Sequence, residues 1–262
     1  MSEPSRFSLM IDALTTLAEE EQAQMTLHTP EAGLPTLNSV LADAGRLPHT
    51  ALFLGLAEDG LPVLLDLYDP VPGPLLIIGD ESSGKTSLLQ MVARATEAMH
   101  NPQDVQTGVI TKQPDEWRNL QGSQSVVGIY SVREDSAREL LQSLVNWAHN
   151  NRDNAQAILL LIDDLEAVTQ LGREAEQNLR WLLLRGPNRR VWPIVALESS
   201  RAQSMEAWLE FFRTRLFGYI EDEEVSRFVC GGTEMALGNL AESQFAMREG
   251  NGWLNFWAPA ID

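Results

Sequence analysis

Gly79-Asp80-Glu81-Ser82-Ser83-Gly84-Lys85-Thr86 places two glycines, a lysine and a hydroxyl at the spacing G-x-x-x-x-G-K-[ST]. These residue types in this order suit the holding of a polyphosphate. The glycines let the backbone curl so that successive N–H groups of the loop, including those of Ser82, Ser83 and Ser87 in the following turn, face an anion. Lys85 supplies a cation to the β- and γ-oxygens, and the Thr86 hydroxyl is a hard oxygen ligand for Mg2+. Further along, Ala157-Ile158-Leu159-Leu160-Leu161-Ile162 is an apolar run that ends in Asp163-Asp164. There Asp163 is the expected second magnesium ligand, and Asp164 stands where a general base would orient an attacking water. Asp164 is equally suited to capping a following helix, and Glu166 is the fallback base.

A loop of this kind acts only between a strand and a helix, and the flanking residues provide both. Leu75-Leu76-Ile77-Ile78 precedes it as a buried strand, and a helix is predicted over Lys85 to Met99. Further strands are expected at Val105 to Thr111, Ser125 to Tyr130, Ala157 to Ile162, Val191 to Leu197 and Arg215 to Ile220. Helices are expected at Asp135 to His149, Glu174 to Leu184 and Met205 to Phe211. This alternation predicts an α/β fold, a RecA-like P-loop NTPase with a mostly parallel sheet flanked by helices. Two apolar runs around Glu58-Asp59-Gly60 predict a small β-hairpin before the loop, and Phe245 to Trp257 predicts a terminal hairpin on the sheet edge. An N-terminal amphipathic helix is predicted from Phe7 to Met25, as core packing or as a docking arm for a protein partner, with a short helix over Leu37 to Ala44. Residues 1–50 are therefore read as a helical extension and 51–262 as the nucleotide-binding domain.

Asp80 and Glu81 put two carboxylates into a loop built for anions, which weakens nucleotide binding unless they turn away from the phosphates. The whole chain is acidic as well. Among 262 residues there are 37 Asp and Glu against 19 Lys and Arg, a formal charge of −18, which argues against a surface that lies along a nucleic acid and leaves only a localised basic pore. Lys85 and Lys112 are the only lysines, so one of the two falls in the phosphate motif. The single cysteine, Cys230, excludes an intramolecular disulfide and a Cys-rich zinc site and fits a reducing compartment. No apolar run reaches the length of a membrane span, and a cytoplasmic location is expected. Trp117, beside Arg118, suits core packing first and stacking on a base second.

The order of these segments resembles the motor core of the FtsK/HerA group of ATPases, over about Leu52 to Pro259. The resemblance rests on the hairpin before the loop, Asn101-Pro102-Gln103-Asp104-Val105, Ile162-Asp163-Asp164, Arg189-Arg190-Val191-Trp192-Pro193-Ile194-Val195-Ala196, Thr214-Arg215-Leu216-Phe217 and Gly252-Trp253-Leu254-Asn255-Phe256. It implies ATP as the nucleotide and a homo-oligomeric, typically hexameric, ring in which an arginine from one subunit completes its neighbour's site. By motif position that arginine is Arg215, with Arg189 and Arg190 as alternatives. DNA is the cargo by resemblance, and a protein-export or packaging role and a weakly hydrolysing nucleotide switch are the other readings.

The chain departs from that group's pattern at two site positions. Asp164 replaces the usual Glu, and Leu197-Glu198-Ser199 replaces the usual Thr-Gln-Arg, so Glu198 brings negative charge to a position that otherwise senses the γ-phosphate. The reading is of a motor core without a winged helix, membrane domain or N-terminal β-barrel. Arg118, Arg133, Arg138 and Arg152 are the pore candidates or, more simply, solvated surface arginines.

Overall fold

The computed structural model describes residues 35–151, 156–232, 235–250 and 252–262. The helix expected over Phe7 to Met25 and the pore candidate Arg152 lie outside them. One compact unit runs from Thr36 to Asp262. Its elements are α1 (Leu37–Ala44), β1 (Ala51–Ala57), β2 (Pro62–Asp66), β3 (Leu75–Gly79), α2 (Lys85–Met99), β4 (Val105–Thr111), β5 (Val126–Ser131), α3 (Asp135–Asn150), β6 (Ala157–Asp163), α4 (Leu165–Thr169), α5 (Arg173–Arg185), β7 (Val191–Glu198), α6 (Glu206–Leu209), β8 (Thr214–Phe217), α7 (Glu223–Val229), β9 (Gln244–Glu249) and β10 (Gly252–Trp257).

The strands form one ten-stranded sheet in the order β2-β1-β10-β9-β8-β3-β7-β6-β4-β5. From β8 to β5 all neighbours are parallel, and from β8 to β2 all are antiparallel. The parallel part follows from the sequence of β3, β6 and β7, whose successive residues are apolar on both faces and must be covered on both. Leu75 and Ile77 pack with Leu88, Leu89 and Val92 of α2 on one face, and Leu76 and Ile78 pack with Leu140, Leu144, Leu179 and Leu182 of α3 and α5 on the other. The register then aligns the C-terminal strand ends, with Gly79 beside Glu198 and Thr111 beside Asp163.

Two expectations are corrected. The hairpin β9–β10 lies inside the sheet, because β1 pairs with β10 and is itself buried on nearly every residue, so β1–β2 takes the edge instead. The strand expected to reach Ile220 ends at Phe217, where the chain turns toward the phosphate motif: Gly218 N–H donates to Ile78 O at 2.8 Å, and Asp80 N–H to Tyr219 O at 2.8 Å.

The register between β1 and β2 shifts at Gly55, where a Cβ would stand 2.4 Å from the Trp257 carbonyl and 2.6 Å from the Phe256 ring. Gly55→Ala is therefore expected to destabilise the fold by about 1–3 kcal/mol, read as a lower urea midpoint at unchanged slope.

Candidate functional site

The phosphate motif forms a tight turn from the end of β3 into the first turn of α2. Ser82 (φ 63°) and Gly84 (φ 89°) take left-handed backbone conformations, and a Cβ on Gly79 would stand 2.3 Å from Ser83 Oγ. A non-glycine residue with positive φ is strained, and such strain is kept where the backbone must point its N–H groups inward. The α2 N-terminus has no side-chain cap, so its first-turn N–H groups are left to a ligand.

Lys85 is held over this loop. Its Nζ donates to Gly79 O at 3.0 Å and Asp80 O at 2.6 Å, and pairs with Glu198 Oε2 at 3.0 Å. Thr86 Oγ1 donates to Asp163 Oδ1 at 2.8 Å. The other Asp163 oxygen accepts from Thr111 Oγ1 at 3.2 Å and from Trp117 Nε1 at 3.3 Å. Burial pushes the Asp163 carboxyl above its ordinary pKa, and these three donors work in the opposite direction. Asp164 does two things at once: Oδ1 caps α4 by accepting from Ala167 N–H at 3.2 Å, and Oδ2 is ion-paired with Lys112. Glu166 points elsewhere, to Arg201 Nε at 3.5 Å.

Glu81, Ser82, Lys85, Thr86, Asp163, Asp164 and Glu198 thus line one cleft of about 320 Å³, together with Thr111, Lys112, Gln113 and Glu116. Asp80 turns out of it. Its carboxylate accepts from Ser199 Oγ and, at 2.8 Å, from Glu221 N–H, so it braces the loop instead of facing the phosphates. Arg215 is not brought to the cleft. Its guanidinium donates to Leu209 O at 2.8 Å, Val229 O at 2.9 Å and Phe212 O at 3.3 Å, beside buried Cys230, whose thiol burial pushes up to about 11.

No motif in the sequence singles out Thr111, Lys112 and Ser199 as cleft or loop residues, whereas core packing is the favoured reading of Trp117 over base stacking, and Trp117 is in the core. Trp117 sits in a 3₁₀ turn, Pro114–Leu120, and is fully buried with its indole N–H on Asp163. The scarcity of lysine was the one signal that pointed to Lys112.

Several solved structures share this architecture. EccC ATPases 2 and 3 of Thermomonospora curvata, in complex with a signal sequence peptide, match with a TM-score of 0.66 at 17% identity over 89% of this chain and 43% of that one. EssC ATPases 2 and 3 of Geobacillus thermodenitrificans give 0.67 at 12% identity, over 83% and 46%. The pCW3 conjugation coupling protein TcpA, with ATPγS, gives 0.67 at 16% identity, over 87% and 70%. The chain has the RecA-like P-loop ATPase fold. It is the fold the FtsK/HerA resemblance implied, and the chain spans less than half the length of the EccC and EssC structures it matches. No protein-family model and no curated protein sequence matches it. None of its described helices is long and apolar enough to cross a membrane.

The P-loop residues fit a magnesium nucleotide. The loop runs into a helix N-terminus without a side-chain cap, and a hydroxyl and a carboxylate, Thr86 and Asp163, are joined at 2.8 Å as hard oxygen donors. Among the described residues no group of three or more His, Cys, Asp or Glu could hold a metal, so phosphate oxygens and water would fill the rest of the shell.

Trp117→Phe keeps a buried aromatic ring but loses the five-membered half of the indole and with it one of the three donors to Asp163. It is expected to cost about 2–3 kcal/mol in urea unfolding, cavity and hydrogen bond together, whereas Trp117→Phe in an Asp163→Asn background should cost about 1 kcal/mol less, because the charge it serves is gone.

Proposed function

We propose that this chain is a magnesium-dependent ATPase that acts in a homo-oligomeric ring, hexameric by resemblance, and couples ATP binding and hydrolysis to movement of a polymer. The observation that carries this reading is the convergence of Lys85 and Thr86 from the P-loop with Asp163 from β6 on one cleft. In this reading the ATPase domain, 51–262, carries the helix Leu37–Ala44 within its compact unit, and the protein acts in the cytoplasm.

The turn from Gly79 to Ser87 encloses the phosphates, with N–H groups of the first helical turn toward them while Asp80 N–H stays on Tyr219 O, and Lys85 exchanges the loop carbonyls and Glu198 for the β- and γ-oxygens. Thr86 and Asp163 would hold magnesium, which when bound would offset negative charge beside the transferred phosphoryl group. Asp164 orients a water and takes its proton as the water oxygen bonds to the γ-phosphorus and the bond to the β,γ-bridging oxygen breaks, leaving ADP and inorganic phosphate. Asp164 is one methylene shorter than the usual Glu, so a slow turnover is expected. Glu166, turned toward Arg201, is the reserve base. If Arg215 acts across subunits it must give up its three carbonyl acceptors in its own chain.

For the cargo, a polypeptide is favoured over DNA by one observation. The chain carries a formal charge of −18, and two of the arginines considered for a basic pore, Arg118 and Arg138, each have a carboxylate, Asp115 and Asp135, within their own helical turn, so a polyanion meets net negative charge. The EccC structure with a signal sequence peptide offers a precedent among proteins of this fold.

The test is the steady-state ATPase rate with magnesium, with and without double-stranded DNA, while light scattering follows mass. Turnover in a ring-sized species that Lys85→Ala and Asp163→Ala each abolish is the expected result. A DNA-stimulated rate would return DNA as the cargo, and ATP binding without turnover in any species would sink the motor in favour of a nucleotide switch. Glu198→Gln removes the carboxylate that competes for Lys85, and ATP binding measured calorimetrically is expected to tighten roughly threefold to tenfold. Unchanged affinity would show that Glu198 costs the site nothing.

A further inference from the structure

We propose that Lys112 is a second phosphate-binding cation, one that leaves Asp164 and contacts the terminal phosphate of the nucleotide within its own subunit. The inference rests on the reading of the cleft as an ATP site. It starts from where the chain spends its lysines: it has two, Lys85 and Lys112, and both line this one cleft. They enter from opposite walls. Lys85 follows β3 and Lys112 follows β4, and the sheet places β7 and β6, which carry Glu198 and Asp163, between those strands. A phosphate lying over the ends of β6 and β7, beside the Thr86–Asp163 pair, is therefore bracketed by one lysine on each side.

Lys112 is also the residue after Thr111, whose hydroxyl already donates to Asp163 at 3.2 Å, so its position is tied to that of the metal ligand. Its ion pair is a weak hold. The Lys112 side chain is 46% exposed and that of Asp164 27%, and a pair so open to water contributes at most about 1 kcal/mol. A terminal phosphate carries more than one negative charge and offers several oxygens, so it outcompetes a single carboxylate for the ammonium group. The exchange has a second effect. Asp164 keeps its capping bond to Ala167 N–H through Oδ1, while Oδ2, freed of Lys112, becomes available to a water. Lys112 thus links arrival of the terminal phosphate to exposure of the base, which a purely structural ion pair would not do.

The test is calorimetric binding of ADP and of the non-hydrolysable analogue AMPPNP, each with magnesium, to wild type, Lys112→Met and Lys112→Arg. The expected result is a loss of about tenfold in AMPPNP affinity for Lys112→Met, the size of one charge-assisted hydrogen bond, with ADP affinity unchanged and Lys112→Arg restoring most of the loss. Because the side chain is half exposed, the variants should melt with wild type, and a thermal scan checks this. Equal affinity of Lys112→Met and wild type for AMPPNP, or an equal loss for both nucleotides, overturns the proposal while leaving the ATP site standing. Wild type that binds neither nucleotide overturns the ATP site and Lys112's role together.

Discussion

A carboxylate taken out of water must be surrounded by donors, and in this fold the carboxylate is Asp163. Its two oxygens collect a hydroxyl from α2, a hydroxyl from β4 and an indole N–H from the 3₁₀ turn that follows β4. Three segments that are remote in sequence are thereby fixed to the end of β6. The P-loop inherits its position from this, because Thr86 is the residue through which α2 is tied down, and the register of β4 against β6 is what puts Thr111 within reach. Burial that would otherwise disfavour the charged form becomes the reason the rim is rigid.

Around that point the cleft is acidic, with Glu81, Glu116, Asp163, Asp164 and Glu198 on its wall against Lys85 and Lys112. Lys85 faces Glu198 and Lys112 faces Asp164, so each lysine meets a carboxylate across the cleft. The two acids whose placement in the loop promised repulsion behave differently from one another: Asp80 accepts from Ser199 and the Glu221 backbone, whereas Glu81 stays on the cleft wall. An acidic loop is compatible with an anion site when one of its acids is used as a brace. The acids left on the wall around Lys85 are Glu81 of the loop and Glu198 at the end of β7.

Local sequence carried the elements whose signal is local. The P-loop, the helix Lys85–Met99 and the strand Val105–Thr111 have the bounds that periodicity predicts, since each is a long apolar pattern ended by Gly, Pro or polar residues. The misses were short or long-range. The helix Glu223–Val229 has seven residues and too few apolar turns to stand out, and the turn that carries Trp117 looks like a loop because Pro114 opens it. No local pattern states that the β9–β10 hairpin is flanked by β1, or that Trp117 reaches Asp163 across 46 positions. Those contacts follow from how the strands stack. The pairing of Lys112 with Asp164 is of the same kind, visible only after β4 and β6 are neighbours.

Buried Cys230 gives the molecule a chemical quietness that is useful in the laboratory. With its thiol raised to about 11 and its side chain packed behind Arg215, the single cysteine carries almost no thiolate at neutral pH. A cysteine introduced on any exposed position would then be the one reactive sulfur in the folded chain. Dyes or spin labels could be attached at one chosen place without first removing the native residue.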